Sequence, residues 1–496
     1  MDHLFKLAKS LQKSEKRFFR LFAARHVKGR NNSLLLFDAI AIQKEYDEKD
    51  LRKIFQGTSI SKHFAFNKQY LYRLLLKALH HYYSHSSAEE IIKEQMHHIK
   101  ILFDRRLLDA CDKLIDKTIV LAKKYEANHE LVRLWELKLE VVSARLFRGY
   151  QEKDMLHIET EMKSALANLS GYMQIYAEQR KLYFHAETRG IMLVREQKEK
   201  YLKMEKEIKH IQAEGFRSAI YKEHFSELVN RNLSGDRVVT EKNIQKILGL
   251  IRQYPHMIKE APREYLTTAY NYGIHKLYAR DNEKAQEMAN ELRSFTNATR
   301  LPPGLQYASL HFHAILQIGI YRNMLQYAEA ERYFADFRKK EKKFEGMEQN
   351  ISRMKVIYYA MSGLCFVTGN YKPAIGYLSK ITSARLSNER TDLDDYARIM
   401  QLLSFFAIGN TLSLERLAGA VRKTFAKKKN LLRIEKLVLD FVMKNNRRIH
   451  EKTFMKEKYE ELLKELRNIS ESGTNEEKIA LEYIDLLPWV EAQLRK

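Results

Sequence analysis

The absence of proline from the first half of the chain is the feature that most restricts its fold. Only six prolines occur among 496 residues, and residues 1–254 contain none. Proline removes a backbone donor and breaks a helix, and each glycine costs about 1 kcal/mol at a helical position. With only 18 glycines as well, the chain is expected to be nearly all-helical. A hydrophobic content of 45% excludes a wholly disordered chain.

The stretch 356–381 has the pattern of two helices folded back on each other. Apolar residues recur there at helical spacing, and Gly369-Asn370 interrupts the run before a second helical pattern begins. Ser362 lies in the first pattern and Ala374 in the second. Small residues at such positions indicate two helices that cross closely.

A second stretch, 264–293, repeats this spacing. Gly273 and Ala285 are separated by as many positions as Ser362 and Ala374, and a polar turn at Arg280-Asp281 lies between them. Both stretches resemble a tetratricopeptide repeat, in which a small residue, a turn and a second small residue follow in this order. The resemblance implies an all-α fold, an α-solenoid of stacked antiparallel helical hairpins, as in uncharacterised bacterial tetratricopeptide-repeat proteins. It implies no particular activity.

The distance between these two stretches does not fit a regular tetratricopeptide array. A strict tetratricopeptide array repeats about every 34 residues. The separation between Ala285 and Ala374 is not a multiple of that length. We therefore expect longer helices or degenerate repeats between them. Pro302-Pro303 is the sharpest punctuation there, and Pro303 is well placed for the first turn of a helix.

Four segments are predicted along the chain. Residues 1–86 form a basic helical N-terminal cap, and residues 87–300 form degenerate helical hairpins. Residues 301–469 form hairpins with a basic C-terminal part, and residues 470–496 carry a closing helix. The long aromatic helix of the cap is expected to pack as the first wall of the array, because the terminal repeats of such arrays are atypical.

Three local patterns predict where helices begin and end. The apolar stripe of residues 3–26 predicts one helix, and the polar, aromatic stretch 172–211 predicts two, with a break near Gly190. Thr474 and Glu477 have the spacing of a capping box, in which each side chain satisfies a backbone N–H of the other residue. That pair is expected to start the closing helix.

The positive charge is concentrated near the two ends of the chain. The net charge is +24, and residues 1–86 hold 17 Lys and Arg against 7 Asp and Glu. Residues 421–458 hold 13 against 4. Such runs are most often solvated helix faces, but they can also follow a phosphate backbone. The candidate phosphate-contacting residues are Lys427, Lys428, Lys429, Arg433, Arg447 and Arg448.

No pattern in the sequence predicts catalysis. The chain contains neither of the common glycine-rich phosphate loops. His81 and His85 could in principle share a metal, but a polar helix end explains them better. Asp394 and Asp395 fit the first turn of a helix, where the helix dipole favours acidic residues. We therefore expect no catalytic residues, no cofactor and no metal, and an enzyme with an unrecognised site is the least favoured interpretation.

The sequence predicts a cytoplasmic protein. Cys111 and Cys365 lie in apolar helical patterns, which favours free thiols packed in a core in a reducing compartment. The first residues lack the apolar core of a secretory signal, and no apolar run reaches the roughly 18 residues of a membrane span.

Two functional hypotheses follow. The first is a non-enzymatic protein–protein interaction scaffold, in which the first helix of each hairpin contacts a peptide or protein partner. The candidate residues of that surface are Tyr265, Asn271, Lys276, Lys355, Tyr358 and Tyr359. The second is a nucleic-acid-associated or regulatory protein that uses residues 1–86 and 421–458. Neither hypothesis involves a membrane, and the oligomeric state is left open.

Overall fold

A computed structural model describes most of the chain. The described residues are 3–25, 31–85, 87–189, 195–234, 236–299, 301–344, 347–348, 350–383, 390–426, 431–484 and 486–495. Helix accounts for 85% of the structure, and these residues include no β-strand. The predicted all-α class is therefore confirmed.

Six helices form the N-terminal unit and enclose a core of their own. They are α1 (His3–Ser10), α2 (Lys13–Arg25), α3 (Asn32–Ile42), α4 (Glu48–Ile54), α5 (Ser59–Lys62) and α6 (Phe64–Tyr83). The long helix α6 packs against α1, α2 and α3, with Leu71, Leu75 and Ala78 buried beneath them. The buried side of α6 therefore faces its own unit, whereas the sequence predicted that it would form the first wall of the hairpin array.

The predicted helix over residues 3–26 is divided in two, and this prediction was wrong. The break falls at Leu11-Gln12, where the backbone N–H of Gln12 donates to the Glu15 carboxylate at 2.5 Å. Glu15 is buried and also accepts the hydroxyl of Tyr83, at the far end of α6. A side chain that satisfies an unpaired N–H at the start of a helix favours a new helix there.

The next seven helices pack mainly as consecutive neighbours. They are α7 (Ala88–Asp104), α8 (Leu108–Lys124), α9 (Asn128–Ala144), α10 (Glu152–Arg189), α11 (Arg195–Lys209), α12 (Phe216–Val229) and α13 (Arg237–Gln253). A short π-helical segment, Asn230–Ser234, follows α12. The break predicted near Gly190 lies outside the described residues. Gly171 lies inside the continuous helix α10, where an added Cβ would come within 2.7 Å of the Gln212 carbonyl oxygen.

Four helical hairpins follow the short helix α14 (Met257–Glu260). They pair α15 (Pro262–Tyr278) with α16 (Asn282–Ala298), α17 (Pro303–Asn323) with α18 (Tyr327–Glu341), α19 (Ile351–Val367) with α20 (Tyr371–Thr382), and α21 (Thr391–Ala407) with α22 (Thr411–Phe425). We call α15, α17, α19 and α21 the first helices. Each first helix contacts its own partner, and consecutive first helices also contact one another.

The four hairpins reverse direction through one common turn. Arg280, Leu325, Gly369 and Gly409 each have a positive φ, between 56° and 78°. In each turn the N–H of the next residue donates to the carbonyl five residues earlier, at 2.7–3.1 Å, which is the helix-ending arrangement that a left-handed residue permits. The turns recur at similar intervals along the chain, the last interval being slightly shorter than the others. The α17–α18 hairpin accounts for the wide spacing between the two sequence landmarks.

The two small residues on the first helices, Gly273 and Ser362, lie against the next first helix. A Cβ added to Gly273 would come within 2.8 Å of the Leu316 methyl groups on α17. Ser362 on α19 lies 3.8 Å from the sulfur of Met400 on α21. Gly273 and Ser362 therefore mark a close crossing with the next first helix, while Ala285 and Ala374 are buried on the second helices of the two hairpins.

The chain ends in four helices that return to the hairpins. They are α23 (Arg433–Asn445), α24 (Lys452–Ser472), α25 (Asn475–Ile484) and α26 (Leu486–Leu494). The predicted capping box is confirmed, because Thr474 N–H donates to Glu477 at 3.0 Å and Glu477 N–H donates to Thr474 at 3.3 Å. The Glu477 carboxylate also accepts the backbone N–H of Arg433, at 3.2 Å. One buried side chain therefore caps both α25 and α23.

The left-handed turn at Gly369 leads to a first prediction. Replacing Gly369 by Ala should lower the free energy of unfolding by about 1 kcal/mol, because a side chain disfavours a positive φ. Gly376→Ala is the matched control: this exposed glycine lies within α20, and its Cβ would meet no atom within 4 Å. The control should raise stability by about 0.5 kcal/mol. Urea unfolding followed by circular dichroism measures both, and equal effects would contradict the assigned turn.

Candidate functional site

The candidate functional site is the side of α19 and α21 against which α25 and α26 lie, which we call the inner face. Twelve of the seventeen residues of α19 are buried, as are twelve of the seventeen of α21. One side of a helix cannot supply so many, so both helices are covered on several sides. Helix α19 contacts α17, α18, α20, α21 and α26. Helix α21 contacts α10, α19, α20, α22, α23 and α25.

Aromatic residues of the last two helices make the contacts with the inner face. The Tyr359 hydroxyl donates to the backbone carbonyl of Tyr483 on α25, at 2.9 Å. The indole ring of Trp489 on α26 stacks on Phe366, with 5.5 Å between ring centroids, and its N–H donates to the Tyr371 hydroxyl at 3.2 Å. Trp489 is 1% exposed. The inner face therefore already holds a helical segment of the same chain.

The three candidate partner-binding residues on α19 are enclosed or packed in the structure. Lys355 is fully buried, and its Nζ lies 2.9 Å from Oδ1 of Asp394 on α21. Burial raises the pKa of the Asp394 carboxyl, although the Lys355 hydrogen bond acts in the opposite direction. Tyr359 is 4% exposed, and the half-buried ring of Tyr358 stacks on Tyr377. None of the three is displayed as an open surface.

The candidates on α15 are engaged in the same way. Tyr265 is half-buried, and its hydroxyl donates to the Glu291 carboxylate. Buried Lys276 donates to Glu241 at 2.6 Å, a contact that holds the pKa of that carboxyl below its usual range. Asn271 is also buried. Four of the six predicted surface residues are therefore enclosed, because other parts of the chain cover the face on which they lie.

A buried polar cluster joins α12 to α15 beside Asn271. Glu227 is fully buried, and its carboxylate lies 3.4 Å from the Asn271 amide nitrogen and 3.3 Å from Nε of Arg231 in the π-helical segment. His224 Nε2 lies 3.4 Å from the Thr268 hydroxyl. Burial raises the pKa of Glu227, and burial together with nearby arginine charges lowers the pKa of His224 to about 4. The cluster holds the two helices together through paired polar groups.

The basic C-terminal candidates do not converge in the described structure. Lys427, Lys428 and Lys429 lie outside the described residues. Arg433 and Arg447 are exposed near opposite ends of the 13-residue helix α23, which is about 20 Å long. Arg448 is exposed, and its guanidinium is paired with Glu451 and lies 3.6 Å from the centre of the Phe454 ring. Phosphate binding by this segment stays a prediction.

A small cavity of about 90 Å³ lies near the starts of α7, α9 and α12. Two of the four carboxylates that line it, Glu126 and Glu260, accept backbone hydrogen bonds. Glu126 accepts the N–H groups of Phe216 and Arg217, at 2.5 and 2.8 Å, and Glu260 accepts the N–H of Ala88 at 3.0 Å. These contacts satisfy the first N–H groups of α12 and α7. The geometry assigns the two carboxylates a capping role.

The described residues contain neither a group of metal ligands nor a membrane-spanning helix. Among these residues, no three His, Cys, Asp or Glu side chains lie close enough to share a metal ion. Within the same ranges, none of the helices combines the length and apolarity that crossing a membrane requires. Comparison with known protein families, curated proteins and solved structures finds no match to this chain.

Sequence reasoning missed the residues that occupy the inner face. It predicted one closing helix in residues 470–496, where the structure has the two helices α25 and α26. It did not place them on the surface assigned to a partner. The available signal was Tyr483 and Trp489, two large aromatic residues six positions apart near the end of the chain. Large aromatic side chains dominate buried interfaces, and their presence there indicates a helix that packs against something.

The buried ion pair between α19 and α21 gives a second prediction. Lys355→Met should destabilise the protein by about 3 kcal/mol, because it leaves the Asp394 carboxyl without its cationic partner. Adding Asp394→Leu should restore more than half of the loss, since an apolar pair can replace a buried ion pair. Lys436→Met on the exposed side of α23 is the control and should change stability by less than about 0.5 kcal/mol. Urea unfolding checks all three, and a neutral Lys355→Met would contradict the enclosure.

The depressed pKa of His224 predicts how stability depends on pH. The folded-state pKa of about 4 lies below the ordinary value of 6.5, so folding favours the neutral imidazole. The contribution of neutral His224 to the free energy of unfolding is complete above pH 6.5. It is lost as the pH falls toward 4, by about 3 kcal/mol in total. His224→Gln should remove this part of the pH dependence. Urea unfolding at several pH values between 7 and 4 tests it, and His98→Gln, at an exposed position of α7, should leave the dependence unchanged.

Proposed function

We propose that this protein is a non-enzymatic protein–protein interaction scaffold built as a tetratricopeptide-like α-solenoid, and that its inner face binds a helical segment of a partner. Four consecutive hairpins with a common turn support the repeat architecture. The observation that carries the binding proposal is the hydrogen bond from Tyr359 to the Tyr483 carbonyl. The sequence predicted that a peptide would bind to this face. In the structure the face binds α25 and α26, a segment of the same chain.

The contacts of α25 and α26 indicate what such a partner needs. Tyr483 lies against the rings of Tyr278, Tyr359 and Tyr396, with centroids 5.5–6.3 Å apart. Trp489 is the second aromatic anchor, six residues later. Tyr483 belongs to α25 and Trp489 to α26, so two short helices that each carry one large aromatic residue would reproduce both contacts. Such anchors carry most of the binding energy in helix-in-groove complexes.

A partner must compete with the chain's own helices for this face. A segment tethered to its site has an effective concentration in the millimolar range, so a free ligand competes poorly unless it binds more tightly. The apolar residues Leu481, Ile484 and Leu486 of the closing helices are buried as well. The proposed scaffold is therefore closed at rest, and partner binding is coupled to release of α25 and α26.

Cleavage of the linker before α25 tests this proposal. A protease site inserted between Ser472 and Gly473 leaves the inner face intact and converts the closing helices into a separable fragment. We expect the cut fragment to remain bound and to exchange with a fluorescent peptide of residues 474–496. The same peptide carrying Trp489→Ala should bind at least about 100-fold more weakly, because loss of a buried Trp costs about 3–5 kcal/mol.

The control peptide carries Arg495→Ala, a change at an exposed position that should not alter binding. Circular dichroism of the cut protein establishes that it stays folded. If the fragment never exchanges, or if the Trp489→Ala peptide binds as well as the unchanged one, the inner face is a fixed core and the proposal fails.

A further inference from the structure

A second surface, on the N-terminal unit, is independent of the inner face. Residues 51–88 contain no Asp or Glu, but they contain six Lys or Arg and four His. This acid-free stretch includes all of α6, the 20-residue helix that closes the unit. The side of α6 away from the core therefore presents only positive and neutral side chains over about 30 Å.

The residues of that side follow one another at helical spacing. We call it the outer face of α6, and its residues are Phe66, Gln69, Tyr70, Arg73, Lys77 and His80, all of them exposed. Phe66 is 69% exposed and Tyr70 43%, although both are large aromatic residues. Their rings stack on each other at a centroid distance of 6.3 Å and an angle of 13° between planes.

The charges on the outer face point to an external anionic partner. Lys68 on α6 and Arg52 on α4 are both paired with Glu48, at 3.0 and 2.9 Å. In contrast, no carboxylate among the described side chains forms an ion pair with Arg73 or Lys77. These two cations are one helical turn apart and next to the aromatic pair, so one extended ligand can contact all four side chains.

The shape of the surface favours a nucleic acid over an acidic peptide. Peptide helices bind in grooves that enclose their apolar side chains, whereas the outer face is one side of a single convex helix. A base can stack on any exposed aromatic ring, and cationic side chains beside the ring can contact the phosphates of the backbone. In a duplex the bases are stacked on one another inside the double helix and cannot reach an aromatic ring on the protein. An exposed aromatic pair can therefore stack only on the bases of a single strand.

We propose that the outer face of α6 binds single-stranded nucleic acid, with Phe66 and Tyr70 stacking on bases and Arg73 and Lys77 contacting the phosphate backbone. The binding is tolerant of sequence, because every base offers a flat face for stacking. It is also dependent on salt, because each neutralised phosphate releases a counterion.

Fluorescence anisotropy of the full chain with a labelled oligothymidylate of about 20 nucleotides tests the proposal. The titrations are repeated between about 50 and 200 mM salt. Phe66→Ala with Tyr70→Ala should weaken binding at least 10-fold at every salt concentration. Arg73→Glu with Lys77→Glu should weaken it at low salt and reduce the log–log salt slope by about 1.4, which is two phosphates at roughly 0.7 each for a single strand.

The matched control is Lys100→Glu with Lys117→Glu, which changes the net charge equally at exposed positions of α7 and α8. It should retain most of the affinity. Circular dichroism should show every variant folded, since the changed side chains are exposed. Three results would overturn the proposal: no binding at about 50 mM salt, equal weakening by the control and the charge-reversal variant, or full affinity after loss of both rings. Tighter binding of a labelled acidic peptide than of the oligonucleotide would also overturn it, and would assign the surface to a protein partner.

Discussion

One left-handed residue at each hairpin end is the constraint on which the repeated part of the structure depends. At Arg280, Leu325, Gly369 and Gly409 the chain leaves one helix, satisfies the last carbonyl groups and starts the next helix without an intervening loop. Because the turns are alike, successive hairpins stack with their first helices in contact. Only two of the four turns use glycine, so two accept the cost of a side chain at positive φ, about 1–2 kcal/mol.

Stacking the first helices creates a problem that the last two helices solve. In a layer of adjacent helices, each helix is buried where it contacts its neighbours, but one side of the layer is left open to solvent. On that side, the inner face, α19 and α21 carry aromatic side chains. Helices α25 and α26 cover that side with Tyr483 and Trp489. Glu477, which caps both α25 and α23, fixes where the covering helix begins. The same short segment therefore covers the inner face and fixes where the covering helix α25 begins.

Sequence reasoning succeeded where the signal is local and failed where it depends on distant residues. The turn at Gly369 and the capping box at Thr474 were predictable because the residues that make them lie within a few positions. The left-handed conformation of Leu325 carries no such signal, since leucine has no preference for positive φ. The buried Lys355 pairs with Asp394, 39 residues away. A lysine at helical spacing therefore indicates a surface until its partner is known.

The cover over the inner face also sets an order of folding. The hairpins are held by contacts between neighbouring helices, whereas Tyr359 meets Tyr483 across 124 residues and Trp489 meets Tyr371 across 118. The entropy of closing a loop grows with its length, so these contacts form after the hairpins that they join. Until they form, the rings of Tyr359, Phe366 and Tyr396 lack their contacts with Tyr483 and Trp489. The final docking step is thus the one that removes an aggregation-prone surface from the folding chain.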